Sequence, residues 1–303
     1  MTATAPTVSV LMPVYNGARY LAEAVESILA QTFGDFEFVI VDDGSTDRSP
    51  GMLDEYAKRD SRVRIIRRPN MGIVGALNDA IAESKGELIA RMDADDASEP
   101  QRLEKQVAYM REHAECVALG SRVTGIDPYG CVLFQSEHKL AHDEIDGELL
   151  NGVGWAIVHP VAMLRRETVE QVGRYRREWQ WVEDLDLFLR LAEIGKLANL
   201  PDHLLRYRQH TESINRTRAA EQAKLADACV REAYRRRGKE VPAAWKFVPK
   251  PKPSKPQQLQ TWAWRAMKTG NVPVARKHAV ALWKTAPLSI ESWRTLICAM
   301  RGH

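Results

Sequence analysis

Glycine-rich phosphate loops are missing from this sequence. It has no Gly-x-Gly-x-x-Gly and no Walker-type run, which argues against a dinucleotide dehydrogenase or a P-loop enzyme. Cysteine is scarce. Cys116, Cys131, Cys229 and Cys298 are scattered without metal-ligand spacing, so no zinc site or disulfide framework is read from them and reduced thiols are expected. No apolar run reaches membrane-spanning length. The first residues enter an apolar stretch without a basic region before it, so no signal peptide is expected and a cytoplasmic location is.

What is present fits a globular protein. Hydrophobic residues make up 45% and charged residues 27% of a 303-residue chain, enough for one large domain and an appendage. The net charge of +3 hides an asymmetry. From Lys239 onward there are 12 basic and 2 acidic residues, leaving 31 basic and 38 acidic residues in 1–238. A basic tail on an acidic body suggests an anionic partner for the tail, while the acidic body argues against nucleic acid as the main ligand.

Strands alternate with helices along the first third. Val8 to Gly17 opens as an apolar strand that stops at Pro13, and Tyr20 to Gln31 has one apolar helical face at Leu21, Ala24, Val25, Ile28 and Leu29. A second strand begins at Phe36 and ends in Asp42-Asp43-Gly44-Ser45, from which a helix runs to Lys58. Val63 to Arg67 is a third strand, Gly72 to Glu83 a third helix and Leu88 to Met92 a fourth strand. This predicts an α/β fold with a mostly parallel central sheet. Beyond a helix from Arg102 to about His113 the alternation is irregular. Cys116–Gly125 and Cys131–Phe134 read as strands, 156–164 as strand-like but broken at His159-Pro160, 204–210 as a short strand and 215–237 as a helix.

The densest chemistry follows the fourth strand. Asp93, Asp95 and Asp96 fall within four residues, and like charges this close repel unless something positive sits among them. Hard carboxylate oxygens at a strand mouth suit Mg²⁺ or Mn²⁺, which in turn holds phosphate oxygens. Spacing alone leaves open a solvated acidic turn capping the next helix. Polar residues also gather after the first two strands, at Tyr15 and at Asp42-Asp43, and open α/β sheets bind ligands outside the carboxyl ends of their strands.

In order and spacing, Val8 to Gly17, Gln31-Thr32-Phe33, Val41 to Asp47, Asn70-Met71-Gly72, Asn78, Asp93-Ala94-Asp95-Asp96, Glu183-Asp184 and His210 resemble family 2 glycosyltransferases of the GT-A fold, over about residues 7–214. The resemblance implies an inverting transfer from a nucleoside-diphosphate sugar to a saccharide or lipid-linked acceptor, in polysaccharide or glycolipid assembly. It implies donor contacts at Pro13, Tyr15, Asp43, Asn70, Gly72, Asn78 and Asp93. Tyr15 would stack on the base and Asp43 accept from its imino group, with Asp42 supporting the turn. It implies a Mn²⁺ or Mg²⁺ held by Asp95, with Asp93 and His210, and Asp96 holding the loop. It makes Asp184 the catalytic base, kept ionised at a helix start, with Glu183 beside it orienting the acceptor or shaping the charge. Trp155, Trp179 and Trp181 flank that pair as sugar platforms or as core. Two other readings stay open. A sugar-phosphate nucleotidyltransferase usually has a Gly-rich basic loop where this chain has Tyr15-Asn16-Gly17-Ala18. A non-catalytic sugar-nucleotide-binding scaffold would not need the acids at 93, 95, 183 and 184.

The expected organisation is a catalytic domain over 1–238, a Pro/Lys-rich linker over 239–256 and a helical C-terminal extension over 257–303. The linker expectation rests on five prolines and four lysines between Val241 and Pro256. Gly270, Ala275, Ala279, Leu282 and Pro287 are spaced like one tetratricopeptide-type hairpin, which cannot bury its apolar face alone. That face is expected to meet the catalytic domain, a second copy in a homodimer, or an anionic membrane surface, the last placing the protein peripherally at the inner face of the plasma membrane.

Overall fold

A computed structural model describes residues 5–210, 219–243 and 253–302 of the chain, without the side chains of 219 and 220. Strand β1 (Val8–Val14) lies between β2 (Phe36–Asp42) and β4 (Leu88–Arg91), with β3 (Val63–Arg67) outside β2, all parallel. These strands are continuous apolar runs because helices cover both faces of the sheet. Val10, Met12, Phe38 and Ile40 face α1 (Leu21–Leu29), which buries Leu21, Ala24, Val25 and Ile28. Leu11, Val39 and Val41 face the other way, toward α3 (Ile73–Glu83). Helix α2 (Ser49–Arg59) makes the second crossover.

Past β4 the sheet stops being parallel. Strand β8 (Met163–Arg165) runs antiparallel between β4 and β6 (Cys116–Ile126). Strand β9 (Lys196–Arg208) lies parallel to β6, and the short β5 (Ala97–Ser98) and β7 (Val132–Gln135) add antiparallel to β9 and β6. The expected mostly parallel sheet is therefore mixed, with one parallel half and one half of both senses. Two local expectations change for physical reasons. The strand-like run 156–164 folds as 3-10 turns at Gly154–Ala156 and His159–Val161 before β8; Pro160 has no N–H for a ladder. The short strand at 204–210 is the end of a 13-residue strand. Its continuity is disguised by Pro201, which sits where the register against β6 skips from Leu200 to His203. Helices α4 (Arg102–Glu112), α5 (His142–Leu150), α6 (Arg166–Gln171), α7 (Glu183–Leu191) and α8 (Ala219–Arg236) complete this part. The start of the 215–237 helix and most of the expected 239–256 linker lie outside the described residues.

Three helices follow: α9 (Lys255–Lys268), α10 (Val272–Thr285) and α11 (Ile290–Arg301). Ser254 and Gln257 form a reciprocal capping box at the start of α9. The helices share a small core of Leu259, Trp262, Ala263, Ala266, Ala275, Ala279 and Leu282 that closes on Leu133 of β7. The hairpin face thus meets the α/β body. A polar lock goes with it: the fully buried Asp127 accepts from Lys277 Nζ at 2.8 Å and His278 Nε2 at 3.0 Å. No helix among the described residues is long and apolar enough to cross a membrane.

Candidate active site

The loops at the carboxyl ends of β1, β2 and β3 are tied to one another. Asn16, in a left-handed conformation at φ 51°, accepts on Oδ1 from Thr46 N at 2.8 Å and donates its own backbone N–H to Ser45 Oγ at 3.0 Å. Asp42 Oδ1 accepts from Ser45 N at 2.9 Å, so it holds the turn. Asp43 is buried, and its two oxygens accept from Met71 N at 3.1 Å and Gly72 N at 2.9 Å while Arg68 Nε lies 2.9 Å away. Gly72 has φ 84°, and a Cβ there would lie 2.9 Å from Gln180 Nε2; the 70–72 loop passes directly under the 180–184 segment. Pro13 stays in the ladder opposite Val41, and beyond it the Tyr15 ring stands 55% exposed at the rim of this framework.

Asp93, Asp95 and Asp96 follow β4 on the same edge. Each can offer one oxygen such that all three lie within 4.8 Å of one another. The positive charge this cluster requires comes from its own strand: Arg91, buried, places Nη1 2.5 Å from Asp93 Oδ2. Arg208 secures the loop from the other side. Its backbone N donates to Asp96 Oδ1 at 2.7 Å, its Nε donates to the Asp95 carbonyl at 2.7 Å, and its guanidinium pairs with Glu23 on α1. Two residues further on, His210 Nε2 lies 2.8 Å from Asp95 Oδ2. Enclosure raises the Asp93 carboxyl above the ordinary range, with Arg91 pulling against it. Burial raises Asp96 further, helped by Asp95 and Asp93.

Glu183 and Asp184 open α7. The preceding turn has Trp181 at φ 83°, closed by a 2.7 Å bond from Trp181 N to Glu183 Oε2. Asp184 Oδ1 accepts from Leu185 N at 2.8 Å. A helix N-terminus favours the charged form of both acids, but burial is the larger effect. It raises Glu183 to about 7, with Asp184 adding to the rise, and raises Asp184 against the opposing pull of Leu185 N–H and Arg91. Asp184 also feels the charge of Asp93. The two acidic motifs, about ninety residues apart in sequence, are therefore near enough for Asp184 to feel both Arg91 and Asp93.

Other expected residues have structural partners of their own. The Asn78 amide bonds the Tyr175 backbone in both senses, donating to its carbonyl at 2.8 Å and accepting from its N–H at 3.1 Å, and so fixes the loop ahead of α7. Trp179 is core, whereas Trp155 is half-open, edge-on to Tyr207 at 4.9 Å. The Tyr207 hydroxyl is pushed upward by burial and by the three acids after β4. Asn70 shapes the backbone, its N lying 2.8 Å from where a Gly44 Cβ would be. The sequence did not single out Arg91 or Arg208, nor the buried His159, whose Nε2 lies 2.7 Å from the Tyr175 hydroxyl. An arginine inside an apolar strand, followed at once by acids, was the one available signal.

The donor set fits a divalent cation. The oxygens are hard ligands, and the buried Asp96 Oδ2 and His210 Nδ1 have no hydrogen-bond partner among the described residues. Asp93, Asp95 and His210 present the remaining atoms, and Asp96 is half committed to the loop through Arg208.

Comparison with known proteins gives the family and the fold. The model of glycosyl transferase family 2 matches residues 9–173. An uncharacterized glycosyltransferase of Haemophilus influenzae is 31% identical over 238 residues, spanning 75% of this chain and 73% of that one. The amylovoran biosynthesis glycosyltransferase AmsE of Erwinia amylovora is 30% identical over 214 residues, 69% of this chain and 79% of its own. Mannosyltransferase PcManGT of Pyrobaculum calidifontis, solved with GDP-Man and Mn²⁺, shares the fold with a TM-score of 0.59 at 19% identity, over 99% of this chain and 86% of that one.

Proposed function

The chain belongs to glycosyl transferase family 2, and on that premise we propose that its site moves a sugar from a nucleoside diphosphate to an acceptor hydroxyl in one displacement, with inversion, in the assembly of a polysaccharide or glycolipid. The observation that carries the mechanism is the meeting of the two acidic motifs: Asp184 lies within the electrostatic reach of Asp93 and Arg91.

The nucleoside lies along the β1–β2 edge, with its base on the exposed Tyr15 ring and its surroundings framed by the Asp43-braced 70–72 loop. The diphosphate lies at Asp93, Asp95 and His210, the residues that would hold Mn²⁺ or Mg²⁺. A divalent cation bound there supplies charge neutralisation for the departing diphosphate. Arg91 keeps the surrounding carboxylates from repelling one another. The acceptor enters from the Trp155 and Tyr207 side, where an open indole suits the C–H face of a sugar. Asp184 takes the acceptor proton as the oxygen attacks the anomeric carbon from the face opposite the leaving group. Burial has raised its basicity, which makes it a better acceptor for that proton than an exposed carboxylate. Glu183 holds the turn that aims it.

Calorimetry of UDP and GDP, with Mn²⁺ and with EDTA, tests the donor end. Binding by the unaltered protein is expected to fall in EDTA, and Asp95→Asn is expected to bind weakly in both. Binding that ignores EDTA and the substitution alike removes the metal role. NMR of the product's anomeric centre tests the displacement; retained configuration overturns it.

A further inference from the structure

Helix α11 turns little of its apolar bulk inward. Ser292, Thr295 and Ala299 are buried, and Leu296 is the one large apolar side chain of the helix that packs against the core shared with α9 and α10. The other large apolar side chains face solvent. Ile290 is 84% exposed, Trp293 47%, Ile297 47% and Met300 56%, and Leu288 just ahead is 98% exposed. Positions 290, 293, 297 and 300 fall on one stripe of a 3.6-residue helix. Nothing within the chain covers this stripe among the described residues. A contiguous apolar patch of this kind is what a soluble surface avoids unless another apolar phase meets it.

The charge around the stripe selects that phase. Residues 253–302 contain eight Lys and Arg against one acid, Glu291. Arg294 and Arg301 lie at the edge of the stripe, one helical step from Ile290 and Ile297. Arg294 is largely exposed and only loosely paired with Glu291, at 3.8 Å. A second copy docked two-fold on the same stripe would set these arginines against their own counterparts, with almost no acid to answer them. The acidic body of this chain is already engaged at Asp127 through Lys277 and His278, on a different face of the helices. Trp293 is held ready, edge-on to Trp283 at 5.5 Å with its Nε1 donating to the Pro287 carbonyl at 2.9 Å. An apolar stripe bearing a fixed tryptophan and edged by exposed arginines matches the level of a bilayer where acyl chains meet headgroups.

We propose that the exposed face of α11, with Leu288, is a docking surface for an anionic lipid bilayer, which the protein binds in the plane of the interface. The apolar side chains enter the acyl boundary while Arg294 and Arg301 reach anionic headgroups. This does not depend on the transfer reaction, because binding to lipid is read without donor or acceptor.

Co-sedimentation of the full chain with phosphatidylcholine vesicles, and with equimolar phosphatidylcholine–phosphatidylglycerol vesicles, tests it. The protein is expected to pellet with the second and stay in solution with the first, and to be released by high salt. Ile290→Glu with Ile297→Glu, both on exposed positions, should weaken binding at least about tenfold at unchanged melting temperature, and Arg294→Gln about fivefold. Protein that ignores anionic vesicles at low salt overturns the proposal. So does binding that survives the isoleucine substitutions and yields only to salt, since that is charge alone. Sedimentation velocity provides the other adverse outcome: a concentration-dependent dimer that the same substitutions abolish, without vesicle binding, makes the stripe a contact between copies.

Discussion

Two buried charges organise this molecule in opposite ways. Arg91 sits among carboxylates, and Asp127 sits among cations. Asp127 is satisfied on both oxygens: Oδ1 accepts from Tyr129 N at 2.8 Å and Cys131 N at 2.9 Å, and Oδ2 from Lys277 and His278. Burial alone would raise its pKa, but these donors outweigh burial and hold it well below the ordinary carboxylate range. Around Arg91 the accounts stay open. Arg91 Nε, Asp96 Oδ2 and His210 Nδ1 are buried without hydrogen-bond partners among the described residues, and burial lifts Asp93, Asp96, Glu183 and Asp184 upward. A completed set of partners marks a structural lock. An incomplete one, at the mouth of a sheet, is where a bound ligand would supply what is missing.

The sharpest way to separate the two regions is to remove a charge from each. Asp184→Asn should lower transfer by about 10³-fold, within the range of a general base, while calorimetry finds donor affinity unchanged. An Asp184→Asn protein that still transfers sugar at near the original rate would refute its role. Arg91→Met should cost about 3 kcal/mol of unfolding free energy, the low end for breaking a buried pair, because Asp93 keeps some access to water. It should also abolish transfer. Asp127→Asn should cost about 2 kcal/mol and leave kcat nearly intact, since Lys277 can turn to solvent. Urea titrations and initial rates on the pair check both claims; equal effects on rate would erase the distinction.

Titration sharpens it further. Glu183 and Asp184 are both raised, and between the ordinary range and the Glu183 value of about 7 the folded protein binds more protons than the unfolded chain. Stability attributable to this pair must then fall as pH rises through that window. Asp127 has the opposite sign: its contribution is complete above the ordinary carboxylate value and is lost only as pH falls below it. Denaturation of Glu183→Gln across the window from about pH 5 to about pH 8, which brackets the raised value of about 7, should show a shallower decline than the unaltered protein. Identical slopes would show that Glu183 is not the group being ionised. Transfer itself should decline on acidification, because Asp184 acts as the charged form.

How far the sequence showed these regions differs for the same reason. Strands β1 to β4 are unbroken apolar runs ending in polar loops, so their order and the acids beyond them were legible. The second half was less so. Strand β8 has three residues, β9 is interrupted by Pro201, and α5 buries only Ile145 and Leu149 among its many acids. The motifs singled out Asp93, Asp95, Asp184 and His210 as candidates, but not what arranges them. Arg91 reads locally as one polar residue in a strand, and only the sheet reveals that it faces Asp93 and feels Asp184. Arg208 reads as part of a basic run, yet two of its bonds, made more than a hundred residues away in sequence, set the Asp95-Asp96 loop. Asn78 matched a motif, but its two bonds to the Tyr175 backbone had no signal in the sequence.

The smallest expected effect lies where the two regions touch. Gln209 precedes His210, and its backbone N donates to the Ile126 carbonyl at 2.9 Å, closing β9 onto β6. Its side-chain oxygen accepts from Trp262 Nε1 at 3.1 Å and from Arg265 Nη1 at 3.3 Å, both on α9. The C-terminal helices thus grip the residue next to the histidine that meets Asp95. Gln209→Ala should cost about 1 kcal/mol of stability, the worth of an ordinary hydrogen-bonded pair. If the grip also aims His210, Mn²⁺ affinity should fall about threefold, a shift well within one kcal/mol. Trp262→Phe removes the indole donor and keeps most of the ring, so it should reproduce the loss of Mn²⁺ affinity with less loss of packing. Stability that falls in both variants while the Mn²⁺ isotherm stays put would make α9 a prop for the fold alone. Parallel shifts in metal affinity would make it part of how His210 is positioned.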